Sequence, residues 1–351
     1  MLISCSGSSD DTIVEVPKNI IPSNLVLQIN ISGSSSSNPN GDGSGVITCN
    51  ASATNAISFG FKVGTEAEVK NTTGIFNYTC TKEGVNDYLV TVFAYSSTND
   101  VISDFKKVTV FVAEKEPQLI WSDEFNTNGA PDITKWGYDI GTGNNGWGNG
   151  EKQFYTQRTD NVKVEDGVLK IIVKKENYQN SEYTSARLLT KGKFDFTYGR
   201  VDVKAKLPTG YGTWPAIWML GANIDTVGWP ACGEIDIMEH WGYNPTIISS
   251  ATHTPSCSGG CINTSVGETT ITDYNTAFHV YSLEWSENEL KFFIDNVYKY
   301  SYKPSVKTNS TWPFYAPQFL ILNVAIGGSW FTIDPNFTES VMEIDYVRVY
   351  Q

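Results

Sequence analysis

Three carboxylates stand within six residues of an otherwise apolar run, Gly233-Glu234-Ile235-Asp236-Ile237-Met238-Glu239. Successive side chains of an extended strand leave on opposite faces, so Glu234 and Asp236 share one face while Ile235 and Ile237 turn to the other. Glu239 is out of phase by one residue. A β-bulge at Ile237-Met238 would supply the extra residue that turns Glu239 back to the acidic face, and bulges gather beside active sites. Three acids on one face repel one another, which is tolerated where they hold a cation or carry out acid–base chemistry. A hard cation takes oxygen ligands from loops that wrap around it, and a single strand supplies these poorly. Cleavage of a glycosidic bond needs two carboxylates astride one linkage, about 5–5.5 Å apart in retaining enzymes, one as nucleophile and the other as proton donor. The expected catalytic set is therefore Glu234 and Glu239, with Asp236 between them to hydrogen-bond the nucleophile and hold the two proton affinities apart.

The neighbouring sequence suits a sugar. Trp229-Pro230 leads into the acidic run, and Gly212-Thr213-Trp214-Pro215-Ala216-Ile217-Trp218 lies just upstream. Any one tryptophan is more often core than platform, but flat rings beside paired acids offer stacking surfaces for the apolar C–H faces of pyranose rings. The net charge of −13, from 25 Lys+Arg against 38 Asp+Glu, disfavours nucleic acid, anionic lipid and heavily sulfated polymers as partners. It is equally what solubility alone would ask for.

The elements that must position these residues are β-strands. The 351-residue chain has room for two domains, and helical periodicity is scarce in it. Short alternating runs such as Leu25-Val26-Leu27-Gln28-Ile29 and Val108-Thr109-Val110-Phe111-Val112 are separated by Gly- and Ser-rich turns. The expected organisation is all-β: a polar linker at 1–22, a small sandwich at 23–114, and a large two-sheet sandwich at 115–351 entered through Glu114-Lys115-Glu116-Pro117. No apolar stretch approaches the length of a membrane-spanning helix. Cys49 with Cys80, and Cys257 with Cys261 across a Gly-Gly turn, are expected disulfides in an oxidising compartment, with zinc the competing reading for the close pair. Cys232 is left as a small buried apolar residue.

Glu-Ile-Asp-Ile-Met-Glu preceded by Trp-Pro-x-x-Gly resembles the catalytic signature of glycoside hydrolase family 16 in its bulged laminarinase-type branch. Further motifs carry the resemblance along the second domain: Asp123-Glu124-Phe125, Trp147-Gly148-Asn149-Gly150-Glu151, Ser185-Ala186-Arg187, Tyr198-Gly199-Arg200, Asn323-Val324-Ala325-Ile326-Gly327-Gly328 and Asp345-Tyr346-Val347-Arg348. The resemblance implies a concanavalin-like β-jelly roll with a concave groove and retaining endo-hydrolysis, with Glu234 as nucleophile, Asp236 as assistant and Glu239 as acid/base. It implies groove contacts at Asn149, Arg187, Trp214, Trp218, Trp229 and His253; the alternative for His253 is a buried imidazole bonded to backbone. It also implies a structural calcium at Glu124, Gly167 and Asp345, with no cofactor for catalysis. The substrate so implied is β-1,3-glucan, with mixed-linkage β-1,3/1,4-glucan also accepted. Galactan-cleaving relatives and a noncatalytic glucan-binding protein remain alternatives.

Gly84-Val85-Asn86-Asp87-Tyr88-Leu89-Val90-Thr91-Val92-Phe93-Ala94 resembles PKD-like immunoglobulin-fold modules, which implies a spacer or a carbohydrate binder. Leu2-Ile3-Ser4-Cys5 is similar to the end of a bacterial lipoprotein signal, which implies a lipid anchor at Cys5 and a secreted or outer-membrane surface location. A monomer is expected.

Overall fold

The computed structural model describes residues 20–257 and 267–351, so Cys5 and Cys261 lie outside the described residues. The chain divides into two compact units, Met1–Glu116 and Pro117–Gln351. The described part of the first contains strands β1 (Ser23–Ile31), β2 (Val46–Thr54), β3 (Ser58–Val63), β4 (Val69–Asn71), β5 (Ile75–Thr79), β6 (Gly84–Tyr95) and β7 (Val101–Val112). They form a three-stranded sheet, β1-β2-β5, and a four-stranded sheet, β4-β3-β6-β7. The period-2 pattern of both sheets buries one side: Leu27, Ile47 and Cys49 of the first join Phe61, Val63, Val90, Val92 and Val110 of the second in one core.

The register of this core corrects one expectation, because Cys49 and Cys80 are both free thiols, each buried. β2 and β5 pair Val46 with Thr79 and Cys49 with Phe76, and the Cys80 amide donates to the Gly45 carbonyl. Cys80 is therefore offset from Cys49 by four residues, about 13 Å along the strand, whereas a disulfide needs Cα atoms within about 7 Å. Burial pushes the Cys49 thiol up to about 11, so it behaves as an apolar core residue. Cys257 is disulfide-bonded.

In the second unit the strands follow as β8 (Leu119–Asp123), β9 (Gly137–Tyr138), β10 (Gln153–Tyr155), β11 (Val162–Glu165), β12 (Val168–Tyr178), β13 (Ser181–Ser185), β14 (Arg187–Leu189) and β15 (Gly199–Lys206). Next come β16 (Thr213–Gly221), β17 (Glu234–His240), β18 (Ile247–His253), β19 (Gly267–Thr270) and β20 (His279–Trp285). The last are β21 (Leu290–Ile294), β22 (Val297–Tyr302), β23 (Gln318–Ile326) and β24 (Glu339–Tyr350). Seven of them make one sheet in the order β19-β18-β17-β16-β23-β14-β9. The other sheet runs β10-β13-β12-β24-β15-β20-β21-β22, with β11 on β12 and β8 on β24. Between the sheets lies the main core. It takes Ile217, Met219, Ile235, Ile237, Met238, Leu320 and Leu322 from the first sheet and Leu169, Ile171, Val201, Val203, Leu283 and Val347 from the second. β23, QFLILNVAI, is buried at every position, as suits a strand flanked in its sheet by β16 and β14. Among the described residues the sole α-helix is a single turn, Ile224–Val227, in keeping with an all-β chain.

Candidate active site

β17 positions the acids. Against β16 it pairs Met238 with Ile217 and Asp236 with Trp218, and against β18 it pairs Asp236 with Ala251 and Glu239 with Ser249. Both ladders thus accommodate one extra residue between Asp236 and Glu239, which is the bulge that alternation called for. Ile235, Ile237 and Met238 go into the core, while Glu234, Asp236 and Glu239 line a single cleft of about 880 Å³. Gly233, at φ +77, sets the entry to the strand; a Cβ there would stand 2.9 Å from Pro313 and Phe314.

Each glutamate has its own tryptophan. Trp229 Nε1 donates to Glu234 Oε2 at 2.7 Å, and Trp214 Nε1 donates to Glu239 Oε1 at 2.9 Å. His253, on the neighbouring β18, places Nε2 3.2 Å from Asp236 Oδ2 and 3.7 Å from Glu234 Oε1. Burial, followed by the charge of Asp236, pushes both Glu234 and Glu239 up to about 8. For His253 burial works against the charged form, but Asp236 and the two glutamates outweigh it and lift the imidazole to about 9. The site therefore holds fewer charges than its three carboxylates could carry. The His253 imidazole stands within ion-pair distance of Glu234, and among the described residues no such pair joins it to Glu239. The cation therefore sits beside Glu234, the carboxyl whose anion it favours.

The six expected groove residues, Asn149, Arg187, Trp214, Trp218, Trp229 and His253, all line the same cleft. Arg187 lies between two rings, its guanidinium carbon 4.6 Å from the centroids of both Trp147 and Trp218, and its Nε is 3.0 Å from Asp139 Oδ2. A chain of hydrogen bonds fixes this wall. Trp218 Nε1 donates to Asn323 Oδ1, Asn323 Nδ2 to the Tyr155 hydroxyl, and that hydroxyl to Glu151, which also accepts from Asn149 Nδ2. The Nε1 groups of Trp147 and Trp241 and Nδ1 of His253 are buried without a hydrogen-bond partner, donors or acceptors that a bound hydroxylated ligand could satisfy.

Several lining residues were missed from sequence. Trp147, Glu151 and Asn323 stand inside motifs that carry the family resemblance, but spacing alone does not direct them to the cleft. Trp241 and Trp330 had weaker signals, a ring two residues past Glu239 and a ring just after Gly327-Gly328.

Glu234, Asp236 and His253 bring one ligand atom each within 4.8 Å of one another, a set that could hold a metal ion. The expected calcium residues lie elsewhere, on the other sheet. Gly167 sits in the turn between β11 and β12, where Leu169 pairs with Ile344, and Glu124 follows Asp123, which pairs with Val347. Glu124 accepts from Arg348 Nε and Nη2 at 3.0 and 2.8 Å, and Asp345 lies 2.7 Å from Lys204 Nζ. Both carboxylates thus already have cationic partners.

Residues 149–348 match the description "Glycosyl hydrolases family 16". A β-glucanase of Rhodothermus marinus is 43% identical over 253 residues, spanning 68% of this chain and 87% of the relative. The X-ray structure of the laminarinase from the same organism is 42% identical with a TM-score of 0.64, covering 67% of this chain and 98% of that one. A second solved structure, described as a non-specific endo-β-1,3(4)-glucanase, is 43% identical with a TM-score of 0.64, covering 68% and 92%.

Proposed function

The chain belongs to glycosyl hydrolase family 16, and from that premise we propose that it is a retaining endo-hydrolase of β-1,3-glucan that also accepts mixed-linkage β-1,3/1,4-glucan. The observation that carries the proposal is the bulge in β17, which sends two glutamates and one aspartate to the floor of a single tryptophan-walled cleft. The names of the relatives supply the sugar, since the fold by itself does not.

In this reading Glu234, whose anionic form is favoured by Trp229 Nε1 and the His253 imidazolium, attacks the anomeric carbon. Glu239, kept protonated by burial and by Asp236, delivers its proton to the departing glycosidic oxygen. The covalent glycosyl-enzyme is then opened by water, from which Glu239 removes a proton. The Glu234 carboxylate leaves and the β-configuration is restored. Asp236 anchors the imidazolium 3.2 Å away and sits between the two reacting carboxyls.

Laminarin incubated with the protein should release reducing ends in the β-anomeric form. Glu239→Gln should lose about 10²- to 10⁴-fold in rate, and Glu234→Ser should be inert. A wild type as inert as Glu234→Ser on laminarin, lichenan, agarose and carrageenan alike would falsify the enzyme reading and leave a glucan binder. Activity on agarose or carrageenan alone would move the substrate to a galactan.

The remaining assignments are part of the same proposal. The first unit is a PKD-like immunoglobulin-type spacer, supported by its two packed sheets and the Gly84–Ala94 motif. Cys5 is a lipid anchor that holds a monomeric enzyme at a bacterial surface, supported by the Leu2–Cys5 resemblance. A structural calcium at Glu124, Gly167 and Asp345 would have to compete with Arg348 and Lys204 for the carboxylates. A higher Tm on adding calcium supports that site, and an unchanged Tm removes it.

A further inference from the structure

Three segments meet at one end of the catalytic strand. Gly210–Thr213 enters β16, Trp241–Tyr243 leaves β17, and Ser329–Phe331 follows β23. Because β17, β16 and β23 are consecutive antiparallel neighbours, the start of the middle strand and the ends of its two partners lie together. Backbone hydrogen bonds fasten them: Gly242 N–H to Thr213 O at 2.8 Å, Gly327 N–H to Gly212 O at 2.8 Å and Asp334 N–H to Tyr211 O at 3.0 Å. Gly242 permits this closeness, since a Cβ there would lie 2.0 Å from the Gly210 carbonyl oxygen.

The fastened segments carry a continuous run of rings. Trp330 lies 5.4 Å from Trp214, Phe331 lies 5.5 Å from Tyr243, and Tyr243 lies 6.3 Å from both Trp241 and Tyr211. Trp214, Trp241 and Trp330 line the cleft. Tyr211 and Tyr243 are not among its lining residues, yet they are 47% and 40% exposed, and Trp330 is 54% exposed. A cluster of large rings left open to water and held in place by backbone bonds marks a binding surface rather than a core. The adjacent planes are tilted by 24°, 47° and 55° rather than lying flat, which suits a chain that turns from one sugar to the next more than a flat ribbon.

Resting on the glucanase reading above, we infer that Tyr211 and Tyr243, continuing from Trp330, form a polymer-binding surface outside the cleft that engages the β-1,3-glucan chain beyond the units that reach the glutamates. The surface is continuous with the cleft through Trp214, whose indole N–H is bonded to Glu239, so a polymer overhanging the catalytic floor meets these rings next. Tyrosine suits the role because it gives an apolar face for stacking and a hydroxyl for sugar oxygens.

The test compares a polymer with an oligosaccharide short enough to stay within the cleft. In Tyr211→Ala/Tyr243→Ala the kcat/KM on laminarin should fall about tenfold, mostly through KM, as loss of two stacked rings predicts. On laminaritetraose it should stay within about twofold. Tyr211→Phe/Tyr243→Phe should keep most of the polymer activity, and an unchanged Tm for the alanine variant shows that the fold is intact. A second readout needs no turnover: retardation in a laminarin-containing native gel, seen with Glu234→Ser, should be lost when both alanines are added. Equal losses on polymer and tetraose, or no loss on either, overturn the surface while leaving the glucanase reading intact. If the wild type cleaves no β-glucan, that reading fails; the surface then stands only if Glu234→Ser is still retarded by laminarin in a manner the two alanines abolish, and falls otherwise.

Discussion

Burial, followed by the charge of Asp236, lifts both Glu234 and Glu239 to about 8, so what sets the two carboxyls apart is the groups beside them. Each accepts one indole N–H, so the tryptophans do not separate them. What does is His253, whose Nε2 lies 3.7 Å from Glu234 and is held there by Asp236. An imidazolium at that distance stabilises the Glu234 anion and with it the form that attacks carbon. His253→Gln removes the cation, so the pKa of Glu234 rises further and the acid limb of kcat/KM moves to higher pH. Each unit of that movement costs about tenfold in activity on the limb, and because Glu234 titrates near 8 the loss should be larger at pH 7 than at pH 9. Measured profiles in which the acid limb stays put while the whole curve drops would show that His253 only binds sugar or supports the fold. Sequence allowed either a groove histidine or a buried one bonded to backbone; its position is set by β18 pairing with β17, a relation between segments that His253 itself does not announce.

At the scale of the element, the bulge in β17 was legible because parity is a local property: Glu239 is an odd number of residues from Asp236, and only an extra residue brings it to the same face. The same arithmetic makes a prediction about deletion. Removing Ile237 sets Met238 opposite Ile217 and Glu239 opposite Ser249 in unbroken ladders on both sides, with no slip in either neighbour. Glu239 therefore stays on the cleft face in an evenly alternating Glu-x-Asp-x-Glu strand. The deletion should keep hydrolysis well above the level of Glu239→Gln, while losing about 2–4 kcal/mol of stability for the missing core side chain. Laminarin assays and urea melts measure the two effects. Activity no higher than that of Glu239→Gln would mean that Glu239 had left the face and that parity is not what the bulge provides. What sequence could not supply was register between distant segments. A bridge between Cys49 and Cys80 fits their positions in one domain but not the register of β2 with β5, and Tyr211 and Tyr243 meet only because three neighbouring strands end together.

For the molecule as a whole, the catalytic cluster couples stability to pH. Glu234 and Glu239 titrate near 4.5 in the unfolded chain and near 8 when folded, and His253 moves from 6.5 to about 9. All three bind protons more tightly in the folded state, so their contribution to stability is fully present below the unfolded values. It declines as pH rises from about 4.5 through 9. The net charge of −13 works in the same direction, because self-repulsion grows as further groups lose protons. The two sources are separable. Glu234→Gln/Glu239→Gln leaves the surface charge untouched and removes the two buried titrations, so calorimetric Tm values for the larger unit at pH 5, 7 and 9 should fall less steeply than in the wild type. Parallel curves would assign the whole decline to surface repulsion. They would also mean that the cleft does not force its acids to keep protons, and the division of labour between nucleophile and proton donor would lose its physical basis.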